Sequence, residues 1–243
     1  MLNRQSALTQ KLSAYVALSD LDLATLARFD RRSRSFRPGH EMIHEGQKNA
    51  SAFVLADGWA YSFKLLPNGE RQIVDFQIPG DFLGLRSILF RTSDHSVEAL
   101  TEIEAFEVLT TDILEAFAQS PRLATAVLWA ASRDEAMVVE HLVSVGRRNA
   151  EQRMAHFLLE LGSRLNLVGV GDRSGYRCPL TQFHLADALG LSAVHVNRVL
   201  RQLREAGLVT FQKGQVTFED FDRLRELAEF DTAYLDQEGP LLR

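Results

Sequence analysis

The chain has 243 residues, 46% hydrophobic and 24% charged, with a formal net charge of −5 at pH 7, a length that suits two domains better than one core. No apolar run approaches the ~18 residues of a membrane span and the first ten residues lack a secretory apolar stretch, so a cytoplasmic protein with no membrane partner is expected. One cysteine, Cys178, excludes an internal disulfide and an all-cysteine metal or iron–sulfur site within one chain; its place before Pro179 reads as packing.

In chain order, LSDLDLATLARF begins with Ser19 and sets Asp22 three residues on, the pattern of a helix closed by a capping box. Gly39, Gly46, Gly58, Gly69 and Gly80 then punctuate the chain every seven to twelve residues, the rhythm of short strands and turns. Trp59, Tyr61, Phe63 and Leu65 alternate with Ala60, Ser62 and Lys64, which predicts a strand with one apolar face. Pro67-Asn68-Gly69 is a turn signal, and RQIVDFQI alternates again. A meander or jelly-roll-like β domain is predicted from about Phe36 to Leu109.

Helix formers dominate from Thr111, and glycine is absent until Gly146. Ala124, Leu128, Ala131, Val138, Leu142 and Val145 follow alternating steps of four and three, with Glu135 interrupting the seam. Such a stripe packs on the protein's own core or, at roughly 30 helical residues, pairs with a second copy. The helix breaks at Gly146-Arg147-Arg148, and Asn149 is placed to cap the next one, AEQRMAHFLLELGSRL.

Charge is unevenly spread. Residues 146–218 hold ten Lys/Arg against five Asp/Glu, and residues 219–243 hold eight acids against three arginines. A modestly basic module is followed by an acidic tail.

Within the basic module, LTQFHLADALGLSAVHVNRVLRQLREAGLV predicts two amphipathic helices, near Gln182–Leu189 and Ser192–Ala206, around Gly190-Leu191. Ala186 is small where crossing helices must approach, and Gly190 accepts the positive φ of a tight turn. Val196 and Val199 share a packing side with Leu185 and Leu189. Ser192 is the expected N-cap, which leaves Ala193, Val194, His195, Asn197 and Arg198 at the end that a helix-turn-helix presents to base edges. Leu208–Phe211 and Val216–Phe218 predict a hairpin wing around Lys213-Gly214. Arg198, Arg201, Arg204 and Lys213 supply cations for phosphates. The candidate DNA contacts are Thr181, Gln182, Ser192, Ala193, Val194, His195, Asn197, Arg198, Arg201 and Lys213.

From IHEG through LPNGERQIVDFQIPGDFLG and the long helix to the helix-turn-helix, the chain resembles the Crp/Fnr family of bacterial transcription regulators. The resemblance implies an α+β protein: a β jelly-roll, or cyclic-nucleotide-binding-like barrel, as sensor domain (1–110), a dimerisation helix region (111–146) and a winged helix-turn-helix (147–243). It further implies a homodimer joined through Leu128, Ala131, Val138, Leu142 and Val145, double-stranded DNA with a palindromic promoter site as partner, RNA polymerase as a further partner, and no catalytic or cofactor chemistry. Arg198 matches the family's guanine-contacting arginine.

The departures are equally informative. Cyclic-AMP-binding relatives place Gly-Glu early in the phosphate cassette and Arg-Ser about ten residues later. Here Gly84 is followed by Leu85, and His95-Ser96 stands for Arg-Ser. Leucine cannot accept a ribose hydroxyl proton, and a mostly neutral histidine is a poor phosphate clamp. The effector is therefore not cyclic AMP; it is another small molecule near Gly84, Leu85, His95 and Ser96, or there is none. Many relatives carry Glu two residues past the recognition-helix N-cap; Val194 offers only apolar contact. Rival readings are a protein-interaction scaffold on the same winged helix, a metal-binding barrel using His40, His44 and Glu45, and a haem sensor with His40, His44 or His95 as axial ligand.

Overall fold

The computed structural model describes residues 6–48 and 51–235. They fall into two compact units, residues up to 132 and residues from 133 on, and the division lies inside the longest helix.

The first unit opens with α1 (Ala7–Ser13) and α2 (Asp20–Leu26). The capping box predicted for α2 is present: Ser19 accepts from the Asp22 amide, and Asp22 accepts from the Ser19 amide. Asp22 also accepts from Ser120 Oγ at 2.5 Å, so one carboxylate caps a helix and ties it to a distant segment. Lys11 of α1 forms a buried ion pair with Asp81 at 2.6 Å.

Eight strands follow: β1 (Ser33–Phe36), β2 (Glu41–Ile43), β3 (Ala52–Asp57), β4 (Ala60–Leu65), β5 (Arg71–Gln77), β6 (Phe82–Leu83), β7 (Ser96–Ala99) and β8 (Ile103–Val108). They form two antiparallel sheets, β1-β8-β3-β6 and β2-β7-β4-β5. Ile43, Leu55, Leu83, Val97, Ile103 and Ala105 come from both sheets and bury one common core, the double-sheet layout of a jelly roll. The five spaced glycines all have positive φ. At Gly58 nothing else fits, because a Cβ would sit 2.2 Å from the Glu102 carbonyl oxygen.

The alternation predicted for β4 needs correction. Ala60, Tyr61, Ser62 and Phe63 are all buried, whereas Leu65 is exposed. The register shifts between Ser62 and Phe63, and Ser62 Oγ is buried only because it accepts from Gln77 Nε2 at 2.7 Å. Leu65 reaches the turn at the strand's end and so leaves the core.

The predicted helical stretch is two helices, α3 (Thr110–Gln119) and α4 (Pro121–Arg147). Proline disfavours helical backbone in the residue before it and suits the first turn of a helix. Ser120 is accordingly extended and α4 restarts at Pro121. Leu123, Ala126, Val127 and Ala130 bury one side of the early part of α4, and Trp129 stacks on Tyr15 with ring centroids 5.7 Å apart.

In the second unit, Asn149 caps α5 (Ala150–Leu167) with Gln152 closing the box. Next come β9 (Gly171–Asp172), β10 (Gly175–Arg177), α6 (Gln182–Leu189), α7 (Ala193–Glu205), β11 (Val209–Gln212), β12 (Gln215–Phe218) and α8 (Phe221–Ala228). The wing is one edge of a four-stranded antiparallel sheet, β11-β12-β10-β9; β9 and β10 were not foreseen. Cys178 is buried, and burial pushes its thiol up to about 12. At neutral pH it packs and does not react.

Candidate nucleic-acid interface

The two helices of the motif are set by their ends. Thr181 Oγ1 accepts from the His184 amide, and His184 Nδ1 accepts from the Thr181 amide, so α6 starts at Gln182. Gly190, at φ 63°, ends α6 in the left-handed conformation and turns the chain within three residues. Ser192 Oγ then accepts from the His195 amide at 3.2 Å and starts α7. Leu185, Leu189, Val196 and Val199 are all buried, as their shared periodicity predicted.

Burial of Val196, Val199 and Leu203 leaves the other side of α7 outward. Val194 is 80% exposed, and Asn197, Arg198 and Arg201 are exposed with it; Ala193 and His195 are half-buried. Gln182, on α6, accepts from Asn197 Nδ2 at 2.6 Å, which links the first residue of one helix to the second turn of the other. Arg201 lies 4.0 Å from Glu205 one turn on, a weak exposed pair. Two-residue hairpins with positive φ at both turn positions follow the natural strand twist, and Lys213 (φ 50°) and Gly214 (φ 72°) have that geometry. Lys213 therefore stands at the tip of the wing, and it is exposed.

Three residues of this unit escaped sequence reasoning. Arg177 lies on β10 in register with Gln215 of β12 and is exposed beside the wing; the buried Tyr176 before it was the available strand signal. Phe183 is 70% exposed next to Gln182, and no pattern marked it. Arg153 of α5 donates to the carbonyl oxygens of Leu189, Val145 and Arg148 at 2.5, 3.0 and 3.1 Å. One guanidinium thus satisfies the open C-terminal ends of both α4 and α6.

The cassette of the first unit is built differently. Gly84 has φ 65° and opens a 3₁₀ turn over Leu85–Ile88; a Cβ there would lie 2.3 Å from Ile43 Cδ1. Leu85 is half-buried. His95 is buried with Nδ1 2.7 Å from Asp94 Oδ1, and Arg86 lies 3.4 Å from His95 Nδ1 and 3.2 Å from Asp94. Burial would raise the Asp94 carboxyl, but the His95 hydrogen bond and the charges of His95 and Arg86 outweigh it and hold it below the ordinary value. Ser96 Oγ is committed to the Glu45 amide at 3.0 Å. Arg86 is a cation that the comparison at His95-Ser96 overlooked, and it already faces a carboxylate. His40 and His44 are exposed, and among the described residues no three His, Cys, Asp or Glu side chains are grouped to hold a metal ion.

A helix-turn-helix with an adjoining wing, on a chain whose first unit is a double-sheet jelly roll, defines a class: winged-helix regulators with an N-terminal β domain of ligand-binding type. Residues 152–227 match the Crp-like helix-turn-helix domain, and residues 33–120 match the cyclic nucleotide-binding domain. The chain is 30% identical over 212 residues to the nitrogen fixation regulation protein FixK of Bradyrhizobium diazoefficiens, covering 86% of this chain and 88% of that one. It is 24% identical over 213 residues to the transcriptional activator protein Anr of Pseudomonas aeruginosa, covering 88% and 87%. The solved structure of FixK2 from Bradyrhizobium japonicum is similar with a TM-score of 0.72 at 26% identity, over 80% of this chain and 96% of that one. The chain belongs to the Crp/Fnr family: it is a transcription regulator with a helix-turn-helix DNA-binding domain, and not an enzyme.

Proposed function

We propose that the protein acts as a homodimer on a two-fold symmetric promoter site, with one α7 in the major groove of each half-site. The observation that carries this reading is the outward face of α7, where Val194, Asn197 and Arg198 stand exposed over a fully buried Val196 and Val199. Arg198 reads guanine through paired donors to O6 and N7, and Val194 meets a thymine methyl. Thr181, Ser192, Arg201 and Lys213 hold the phosphates, with Ala193 and His195 close to the bases. The second copy joins along α4. Leu128 and Leu142 are 66% and 69% exposed, Val138 is exposed too, and Ala131 and Val145 are half-buried beside them.

The domain roles follow from the same reading: residues 1–110 as sensor, 111–146 as dimerisation region and 147–243 as DNA-binding domain. Cyclic AMP is not the effector. The Leu85 side chain accepts no hydrogen bond from a ribose hydroxyl, and Arg86 faces Asp94. A different small molecule near Gly84, Leu85, His95 and Ser96, or none, sets the active state. The protein works in the cytoplasm, next to RNA polymerase. Fluorescence anisotropy on promoter-length duplexes, with a salt series and with added cyclic AMP, tests these claims together. The expected result is two protein chains per duplex, an affinity that falls steeply with salt, and no response to cyclic AMP. Binding indifferent to salt and sequence would leave a protein-interaction scaffold instead; a shift on adding cyclic AMP would overturn the effector assignment.

A further inference from the structure

Gln182 and Asn197 come from different helices of the motif, yet their carboxamides meet at 2.6 Å, with Asn197 Nδ2 donating to Gln182 Oε1. Both residues are exposed. An exposed pair of neutral amides competes with water and adds little stability, so its consequence is geometric. Gln182 is held at the first position of α6 by the Thr181–His184 capping box. Its Oε1 contact orients the Asn197 carboxamide on α7.

The hydrogen-bonding groups that remain decide what Asn197 can read. One Nδ2 hydrogen is spent on Gln182, which leaves the other Nδ2 hydrogen and Oδ1: one donor beside one acceptor on one planar edge. In the major groove adenine alone presents the complement, N7 as acceptor next to N6 as donor. Guanine shows two acceptors, cytosine a donor, thymine an acceptor and a methyl group. Asn197 follows Val194 by three residues and precedes Arg198, all on the outward face of α7.

We infer that Gln182 is a positioning residue that holds Asn197 as a bidentate adenine reader, so that each half-site contains an A·T pair specified by the two amides acting together, separate from the guanine read by Arg198. The inference rests on the DNA-binding reading above and adds a specificity determinant to it. Gln182 Nε2 has two hydrogens of its own that a phosphate could accept, so the test must separate base preference from overall affinity.

The experiment measures binding of wild type and three variants to a selected site, to its full set of single base-pair substitutions, and to a site with 7-deazaadenine at the assigned position. Wild type is expected to prefer A·T at that position by about tenfold or more, the discrimination of one good bidentate pair, and to lose most of that preference on 7-deazaadenine. Asn197→Ala abolishes the preference and responds no further to 7-deazaadenine. Gln182→Ala loses most of the preference, whereas Gln182→Glu, which keeps the acceptor for Asn197 Nδ2, retains it while binding every site more weakly. The guanine preference stays intact in all three. If Gln182→Ala weakens every site equally and leaves the base profile unchanged, Gln182 is a backbone contact and the inference is wrong; an unchanged profile in Asn197→Ala refutes it equally. If wild type selects no sequence at all, the DNA-binding reading fails and takes this inference with it.

Discussion

At the scale of single residues, the division of labour on the outward face separates base reading from phosphate contact. Arg198→Ala is expected to cost roughly 1–3 kcal/mol on the cognate site and to relax preference at one position per half-site. Lys213→Ala, at the wing tip, should weaken all sequences alike and flatten the salt dependence by about one counterion. Uniform loss in both variants would remove Arg198 from the base readers. His156 makes a second prediction. It is buried on α5 between Phe230 and Tyr234, with its Nε2 3.5 Å from Glu140. Burial first, then the nearby charges of Arg148 and His141, pulls its pKa down to about 4; Glu140 does not counter this because it is engaged by Arg148 at 2.9 Å. The fold thus holds the neutral imidazole, and the unfolded chain takes up the proton first as pH falls. Stability should therefore be full above about 6.5 and decline as pH drops toward 4, by a total on the order of 3 kcal/mol. Proton NMR of the histidines checks this directly: one imidazole should titrate near 4, and a His156 titrating at its ordinary value would contradict the assignment. Residues of this kind were illegible in the sequence. His156, Arg153 and Arg86 owe their roles to partners supplied by other elements, and no spacing rule reports those.

At the scale of elements, the rules that act over three or four residues were readable. Ser19 and Asp22, Asn149, Ser192 and Gly190 start or stop helices where their chemistry says they should. The misread elements are those in which a local pattern met a long-range constraint. β4 is buried on both sides because β5 and β7 flank it and its register shifts. β9 and β10 are too short to carry an alternation and exist by pairing, β10 with β12 and β9 with β10. The helical stretch after Thr111 was read as one region although Pro121 sits in it. For α4, Leu128, Ala131, Val138, Leu142 and Val145 could have been either core or interface by periodicity alone. The residues that bury its early turns are instead Leu123, Ala126, Val127 and Ala130, while Leu128 and Leu142 stand exposed. Leu142→Glu is accordingly expected to place an unpaired charge in the proposed seam and yield a monomer. Sedimentation at micromolar concentration reads the outcome: a dimer for wild type and a monomer for the variant, whereas a monomeric wild type would refute the seam.

At the scale of the whole molecule, a net charge of −5 conceals a modestly basic module, residues 146–218, followed by an acidic tail. The class was legible because motif, wing and β-domain rhythm agree with one another, and such agreement across levels is rare by chance. The effector was not legible: the cassette keeps its turn at Gly84 but loses the side chains that would name a ligand, and Arg86, Asp94 and His95 satisfy one another. On the proposed reading, two copies of this chain read a symmetric site through α7. In vitro selection of bound duplexes from a random pool tests it most directly. The expected consensus is two inverted half-sites with centres about one helical turn (10–10.5 base pairs) apart, each containing the guanine read by Arg198. A single unrepeated half-site, direct repeats, or no enrichment over the starting pool would contradict it.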